Sequence, residues 1–148
     1  MRLAPFFAFL LVGCDLGSFT DDALKEGACD GNECVCPEEC DVSCEASDTC
    51  EVVCADAACN VECTDSPDCD VQGGSDEVTV NCSGAESCQV ECSQSSACTV
   101  DCKDVGNCSV TLPDTNGTVQ NCTQGASCSV TCGLTGIAKQ DGKDVVCE

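Results

Sequence analysis

CQVECSQSSACTVDC, residues 88–102, decides the fold of this chain, because cysteine, valine and cysteine occupy alternate positions and the arrangement returns ten residues later. Written as Cys-x-Val-x-Cys, the unit occurs ten times, with first positions at 40, 50, 59, 69, 78, 88, 98, 108, 118 and 128. The middle residue is valine in every unit except the ninth, where it is Gln120. A period of two places the first, middle and last residues on one face of a short strand. The units therefore predict ten short β-strands with an inner face of cysteine and valine.

The links between units contain four or five residues rich in Ser, Gly, Ala and Asp, a composition typical of turns. Where cysteines are missing, they are missing in pairs: Gly73 and Val78 flank one link, and Leu112 and Thr118 flank another. Such paired losses favour disulfides across links. A bond within one unit is disfavoured, because four residues of extended chain span about 13 Å whereas bridged Cα atoms lie about 4.4 to 6.8 Å apart.

Each predicted link disulfide joins the last cysteine of one unit to the first of the next: Cys44–Cys50, Cys54–Cys59, Cys63–Cys69, Cys82–Cys88, Cys92–Cys98, Cys102–Cys108 and Cys122–Cys128. Cys34 and Cys40 have the same spacing and are predicted to form an eighth bond. The cysteines that remain near the two ends are most simply paired as Cys29–Cys36 and Cys132–Cys147. With four Phe and no Trp, Tyr or His, the chain lacks the residues of an ordinary core and needs these bonds.

Two architectures satisfy a strand, a short link and a bond across the link. In the first, each ten-residue unit is one coil of a parallel β-solenoid; in the second, successive strands form an antiparallel meander riveted by disulfides. The meander leaves its valine and cystine face uncovered, whereas a solenoid encloses its own interior. We therefore expect an all-β fold, a narrow disulfide-braced parallel β-solenoid of about ten ten-residue coils, with the meander as the alternative.

The period and the cysteine spacing over residues 34–132 resemble the cystine-braced β-solenoids of insect antifreeze proteins. That resemblance implies short coils stacked around disulfides. The outward strand positions differ from the flat Thr-x-Thr array of those proteins, since they include acids such as Asp41 and Glu51, and this disfavours ice binding. The repeats also resemble those of cysteine-rich bacterial lipoproteins, which implies a location more than an activity.

The first residues, MRLAPFFAFLLVGCD, contain one basic residue and then an apolar run that is too short to span a bilayer, as in an export signal. Leu11-Val12-Gly13-Cys14 resembles the lipobox of bacterial lipoproteins, which implies cleavage before Cys14 and a diacylglycerol on its sulfur. The protein would then be lipid-anchored in the bacterial cell envelope, facing the periplasm or the exterior. The alternative is a plain secretory signal with a chance cysteine. Assigning Cys14 to lipid leaves 20 cysteines, an even number that suits a disulfide framework.

The predicted organisation follows from these boundaries. Residues 1–13 are the lipoprotein signal peptide, 14–28 a lipidated tether and 29–39 an N-terminal cap. Residues 40–132 form the Cys-x-Val-x-Cys repeat domain, and 133–148 a C-terminal cap.

Charge and composition narrow the function. The formal net charge of −22 makes nucleic acid a very unsuitable partner. Without histidine, a Gly-rich phosphate loop or a nucleophile motif, the sequence predicts that the protein is not an enzyme. We expect a rigid structural or adhesive module at the cell surface that binds an extracellular protein or a glycan.

Metal binding is the alternative class of function, although no cofactor is required by the sequence. Calcium prefers hard oxygen ligands. The candidate ligands are outward acids on strands and links: Asp41, Glu51, Glu62, Asp70, Asp48, Asp56, Asp65 and Asp68. A thiolate metal store, suggested by the many cysteines and by Cys34-Val35-Cys36, is disfavoured because an exported protein meets oxidant first.

Overall fold

The structure is a computed structural model that describes residues 28–30, 33–44, 49–125 and 127–148, with side chains from residue 33 onward. Within these ranges the chain forms fourteen β-strands and no helix. The predicted signal peptide, Cys14 and residues 15–27 of the predicted tether lie outside the described residues.

The strands form two seven-stranded sheets. Sheet I contains, in spatial order, β1 (Ala28–Asp30), β2 (Glu33–Cys36), β4 (Thr49–Cys54), β6 (Asp68–Gln72), β8 (Ser87–Glu91), β10 (Asn107–Leu112) and β12 (Cys128–Cys132). Sheet II contains, in spatial order, β13 (Ala138–Asp141), β14 (Asp144–Cys147), β11 (Gly117–Gln120), β9 (Ala97–Asp101), β7 (Glu77–Asn81), β5 (Cys59–Glu62) and β3 (Cys40–Ser43).

The fold is a parallel β-solenoid with two strands per coil, because successive strands alternate between the sheets. Within a sheet, Cys40 aligns with Cys59 and Cys88 with Cys108, so the repeat along each sheet is 19 or 20 residues. The predicted fold class is confirmed, but the predicted number of coils is wrong: the chain makes about five coils rather than ten. The antiparallel meander is excluded for the repeats, since every pairing that β2 to β12 make among themselves is parallel.

The disulfides themselves explain why a ten-residue coil fails. A five-residue strand is about 13 Å long. One parallel strand per coil would put the two ends of a link at opposite ends of stacked strands, too far apart for a disulfide. In the structure the bonded Cα atoms lie 5.6 to 6.3 Å apart, because the chain reverses at each link and the next strand belongs to the facing sheet.

Valine fills the space between the sheets, as the alternating pattern predicted. Val71 of sheet I and Val61 of sheet II are both fully buried, and the valines above and below them repeat this arrangement. The ninth unit is shifted by one residue relative to the prediction. Val119, not Gln120, is the inward residue, and it aligns with Val100. Asn121 follows with a φ of 54°, and this left-handed residue returns Cys122 to the interior.

The two missing cystines are replaced by pairs of one aliphatic residue and one glycine. Leu112 is fully buried, and a Cβ on Gly117 would lie only 2.7 Å from the Leu112 Cβ. At the other gap Val78 is fully buried, and a Cβ on Gly73 would lie 3.1 Å from its Cγ2. A large side chain on one side of the link therefore needs a glycine on the other.

The described ends of the solenoid differ from its middle. β1 and β2 pair antiparallel in sheet I, and β14 pairs antiparallel with both β11 and β13 in sheet II. β12 is the last strand of sheet I, with β10 as its neighbour. Because the Cys108 amide bonds to Ser127 and the Gly133 amide to Leu112, the Val130 carbonyl points away from β10. Gln124 covers this edge by donating its side-chain amide to that carbonyl at 3.2 Å.

Candidate functional site

Disulfides line both edges of the solenoid, where the chain crosses from one sheet to the other. We call the edge where chain leaves sheet I edge A, and the edge where chain leaves sheet II edge B. Edge A holds Cys36–Cys40, Cys54–Cys59, Cys92–Cys98 and Cys132–Cys147. Edge B holds Cys44–Cys50, Cys63–Cys69, Cys82–Cys88, Cys102–Cys108 and Cys122–Cys128. Both aliphatic–glycine gaps lie on edge A, so the column of edge B is unbroken.

The pairing near the N-terminus differs from the prediction. Cys36 is bonded to Cys40, so the predicted bonds Cys34–Cys40 and Cys29–Cys36 are wrong. The register explains this result: Cys34 aligns with Val52 and Cys36 with Cys54, so Cys36 holds the last inward position of its strand. The rule of bonding across a link therefore applies at a link of three residues. Cys34 is also disulfide-bonded, while the Cys29 side chain lies outside the described residues.

An acidic groove crosses the outer face of sheet I. Glu51 and Asp70 are register partners on neighbouring strands, and Glu33 precedes them in the same column. Glu51, Asp70 and Glu91 line a shallow depression of about 240 Å³, together with the amides of Gln72 and Gln89. Partial burial of Asp70 raises its pKa, and the negative charge of Asp68 adds to this effect. The groove therefore brings several carboxylate and amide oxygens together on one face.

The structure separates the acids that the sequence grouped as calcium ligands. Asp41 and Glu62 lie on sheet II, on the opposite wall from Glu51 and Asp70. Asp41 accepts a hydrogen bond from the Asn60 amide at 3.0 Å instead of meeting another carboxylate. Of the link acids, Asp56 lies at edge A, Asp65 lies at edge B, and Asp48 is outside the described residues.

Sequence reasoning missed Glu91, Gln72 and Gln89 as groove residues. The signal for them exists in the sequence, but only once the repeat is taken as two units. At a spacing of 19 residues Glu51, Asp70 and Gln89 fall into one column, whereas a ten-residue coil places unrelated residues beside them.

Asp114 was also missed, and it anchors the C-terminal cap. Its carboxylate accepts hydrogen bonds from the Thr135 amide at 2.8 Å, the Gly136 amide at 2.9 Å and the Thr135 hydroxyl at 3.0 Å. These donors lower its pKa, the backbone amides most strongly. All three hydrogen bonds join the link between β10 and β11 to the C-terminal cap, so the role of Asp114 is structural.

The sulfur atoms approach one another closely between coils, but not as thiolates. All nineteen cysteines with described side chains are disulfide-bonded. The sulfur groups that come within 4.8 Å of one another combine one cystine with a cysteine of the next coil. A disulfide sulfur is not the thiolate ligand that zinc or copper requires, so a metal store would need these bonds to be reduced first.

Comparison with protein-family models, with curated proteins and with solved structures found no match to this chain. Among the described residues there is no helix of the length and hydrophobicity needed to cross a membrane.

Proposed function

We propose that the protein is an exported, membrane-anchored lipoprotein whose cystine-rich repeat serves as a rigid structural or adhesive module at the cell surface. The observation that carries the proposal is the solenoid itself. Its two walls present outward side chains in straight columns, and cystines brace its edges. A wall of this kind suits recognition of an extended ligand, a protein or a glycan, because side chains repeat at the strand spacing of about 4.8 Å.

The anchor belongs to the part of the chain outside the described residues and rests on the lipobox-like sequence that ends in Cys14. The test is to express the full chain in a bacterium that processes lipoproteins, beside the variant Cys14→Ser, and to follow metabolic labelling with a fatty acid. We expect label and membrane association for the wild type, and neither for the variant. Secretion of an unlabelled wild-type protein would contradict the anchor while leaving the adhesive module untouched.

Adhesion is tested with the oxidised domain, residues 29–148, on intact bacterial cells and on a glycan array. Two matched variants separate the walls: Glu51→Gln with Asp70→Asn on sheet I, and Asp41→Asn with Glu62→Gln on sheet II. Each removes two carboxylates, so their net charges are equal. We expect one variant to lose binding and the other to keep it. Equal binding by both variants and the wild type, or no binding to any surface, would contradict recognition through a wall.

A second candidate, calcium binding, is favoured by the acidic groove of sheet I. Carboxylates in register on adjacent strands, with amide oxygens beside them, are suitable donors for a hard cation. Burial is the main cause of the raised pKa of Asp70 and the charge of Asp68 is the second, and a bound cation would offset both by stabilising the charged carboxylate. We expect millimolar calcium to raise the midpoint of thermal unfolding relative to chelator. The shift should disappear in the sheet I variant and persist in the sheet II variant. No shift in the wild type would exclude this function.

A further inference from the structure

In the first three cystines of edge B, the sulfur atoms of neighbouring coils nearly touch. The Sγ atoms of Cys44 and Cys63, which belong to different disulfides, lie 3.7 Å apart. One coil further on, the sulfurs of Cys69, Cys82 and Cys88 all lie within 4.8 Å of one another. Three successive cystines, Cys44–Cys50, Cys63–Cys69 and Cys82–Cys88, are thus in contact from one coil to the next.

On edge A the Sγ atoms of Cys40 and Cys59 also lie 3.6 Å apart, so the contrast lies in the middle of that edge, at Cys92–Cys98. Its Cys92–Cys98 bond is flanked on both sides by coils in which a cystine is replaced, by Gly73 and Val78 on one side and by Leu112 and Gly117 on the other. The next cystine on that edge is two strand spacings away, or about 9.6 Å. A sulfur at Cys92 therefore has no cystine of a neighbouring coil within reach on its own edge.

We propose that edge B is a path for thiol–disulfide exchange, along which a thiol moves from coil to coil without any net oxidation or reduction. In each step a thiolate attacks one sulfur of the neighbouring cystine, a new S–S bond forms, the old one breaks, and the leaving sulfur carries away the electron pair as a thiolate. One bond is made for each bond lost. The number of thiols stays constant and only the position of the thiol changes.

The contacts define the order of steps. A thiolate at Cys82 attacks Cys69, which forms Cys69–Cys82 and releases Cys63. The Cys63 thiolate then attacks Cys44, which forms Cys44–Cys63 and releases Cys50. A thiol thus crosses two coils through two contacts that already exist in the folded protein.

Entry to the path is at Cys44, which is only partly buried, whereas Cys63, Cys69 and Cys82 are fully buried. A small monothiol from solution can attack Cys44, forming a mixed disulfide and releasing Cys50 as a thiolate. Cys50 lies within 4.8 Å of Cys63 and can continue the exchange inward. Since burial in apolar surroundings raises the pKa of a thiol and leaves little thiolate, we expect exchange over hours rather than seconds.

Two matched variants test the path in the oxidised full chain. Cys88→Ser leaves a thiol at Cys82 on edge B, and Cys98→Ser leaves one at Cys92 on edge A. Each protein is incubated at neutral pH, quenched in acid where thiolate is scarce, unfolded, labelled with a maleimide and mapped by non-reducing proteolysis. In Cys88→Ser we expect new Cys69–Cys82 and Cys44–Cys63 peptides, with label also on Cys63 and Cys50. About a tenth of the label or more should be displaced, the level reached if a shifted pairing is about 1.4 kcal/mol less stable.

The control separates a folded path from general scrambling. In Cys98→Ser the label should stay on Cys92. Label confined to Cys82 in the first variant, or equally spread in both, would overturn the proposal. If Cys88→Ser does not fold, the wild-type protein treated with less than one equivalent of a dithiol provides an equivalent test of exchange along edge B. Edge B should then yield bonds between coils, while Cys92 and Cys98 should open only as a pair; native pairing throughout edge B would overturn it.

Discussion

Replacing Leu112 and Gly117 together by alanine should destabilise the protein less than the two single replacements add up to. Leu112 is fully buried where other coils have a cystine, so Leu112→Ala should cost about 3 to 4 kcal/mol. Gly117→Ala introduces a Cβ 2.7 Å from the Leu112 Cβ and 3.1 Å from its Cγ and Cδ1. Such overpacking should cost about 2 kcal/mol. Independent effects would therefore sum to roughly 5 to 6 kcal/mol.

Alanine at position 112 keeps the Cβ that lies 2.7 Å from the new methyl group, so the double variant relieves only the contacts with Cγ and Cδ1 and fills part of the cavity. We expect a loss of about 4 kcal/mol, and so a coupling energy of about 1 to 2 kcal/mol, within the range for residues in contact. Guanidinium unfolding followed by circular dichroism, with all disulfides intact, measures the four proteins. Leu112→Ala with Val61→Ala is the control, since Val61 is fully buried three strands from β11, about 14 Å away. Additivity of the Leu112 and Gly117 changes, as in the control, would refute their action as one unit.

Three further predictions concern polar residues. The pKa of Asp114 is lowered, so its carboxylate stabilises the folded state above the ordinary carboxyl pKa, and this contribution is lost as the pH falls through the lowered value. Asp114→Asn should therefore speed amide exchange at Thr135 at neutral pH, and an unchanged rate would contradict this. The pKa of Asp70 is raised, so the fold disfavours its charge; Asp70→Asn should raise the thermal midpoint at neutral pH, and the gain should vanish below the ordinary carboxyl range. Gln124→Ala uncovers the Val130 carbonyl and should increase self-association in sedimentation velocity; a monomer at all concentrations would show that Gln124 does not guard this edge.

The sequence was sufficient to predict the strands and most of the bonds between them. Alternation of cysteine and valine predicts which residues face inward. Paired losses of cysteine predict which positions face each other across a link. These are local relations of strand pleat and turn, and the structure contains each of the seven link bonds of the repeat.

The number of strands per coil could have been predicted but required a further step. A link disulfide fixes the two ends of a link about 6 Å apart, and this geometry is incompatible with one parallel strand per coil. The two cystine gaps follow the fourth and the eighth units, and this even separation is consistent with a two-unit coil, in which both gaps lie on the same edge. The acidic groove depends on this assignment, because the coil length decides which acids become neighbours.

Two local departures were harder to predict. Cys36 bonds to Cys40 because the last inward position of the strand before the repeats lies two residues later than the cysteine spacing suggests. In β11 the inward residues are Gly117 and Val119, and the left-handed Asn121 restores the phase before Cys122. Both depend on how one coil fits the next, which a single strand does not encode.

The central claim, a solenoid with two strands per coil, is tested most directly by backbone nuclear Overhauser contacts in the oxidised domain, residues 29–148. Val71 should show amide-to-Hα contacts across the ladders to the strands of Val52 and Val90, its partners 19 residues away on each side. Backbone contacts from the strand of Val71 to that of Val80 instead, the next unit along the chain, would place successive units side by side in one sheet and contradict the fold.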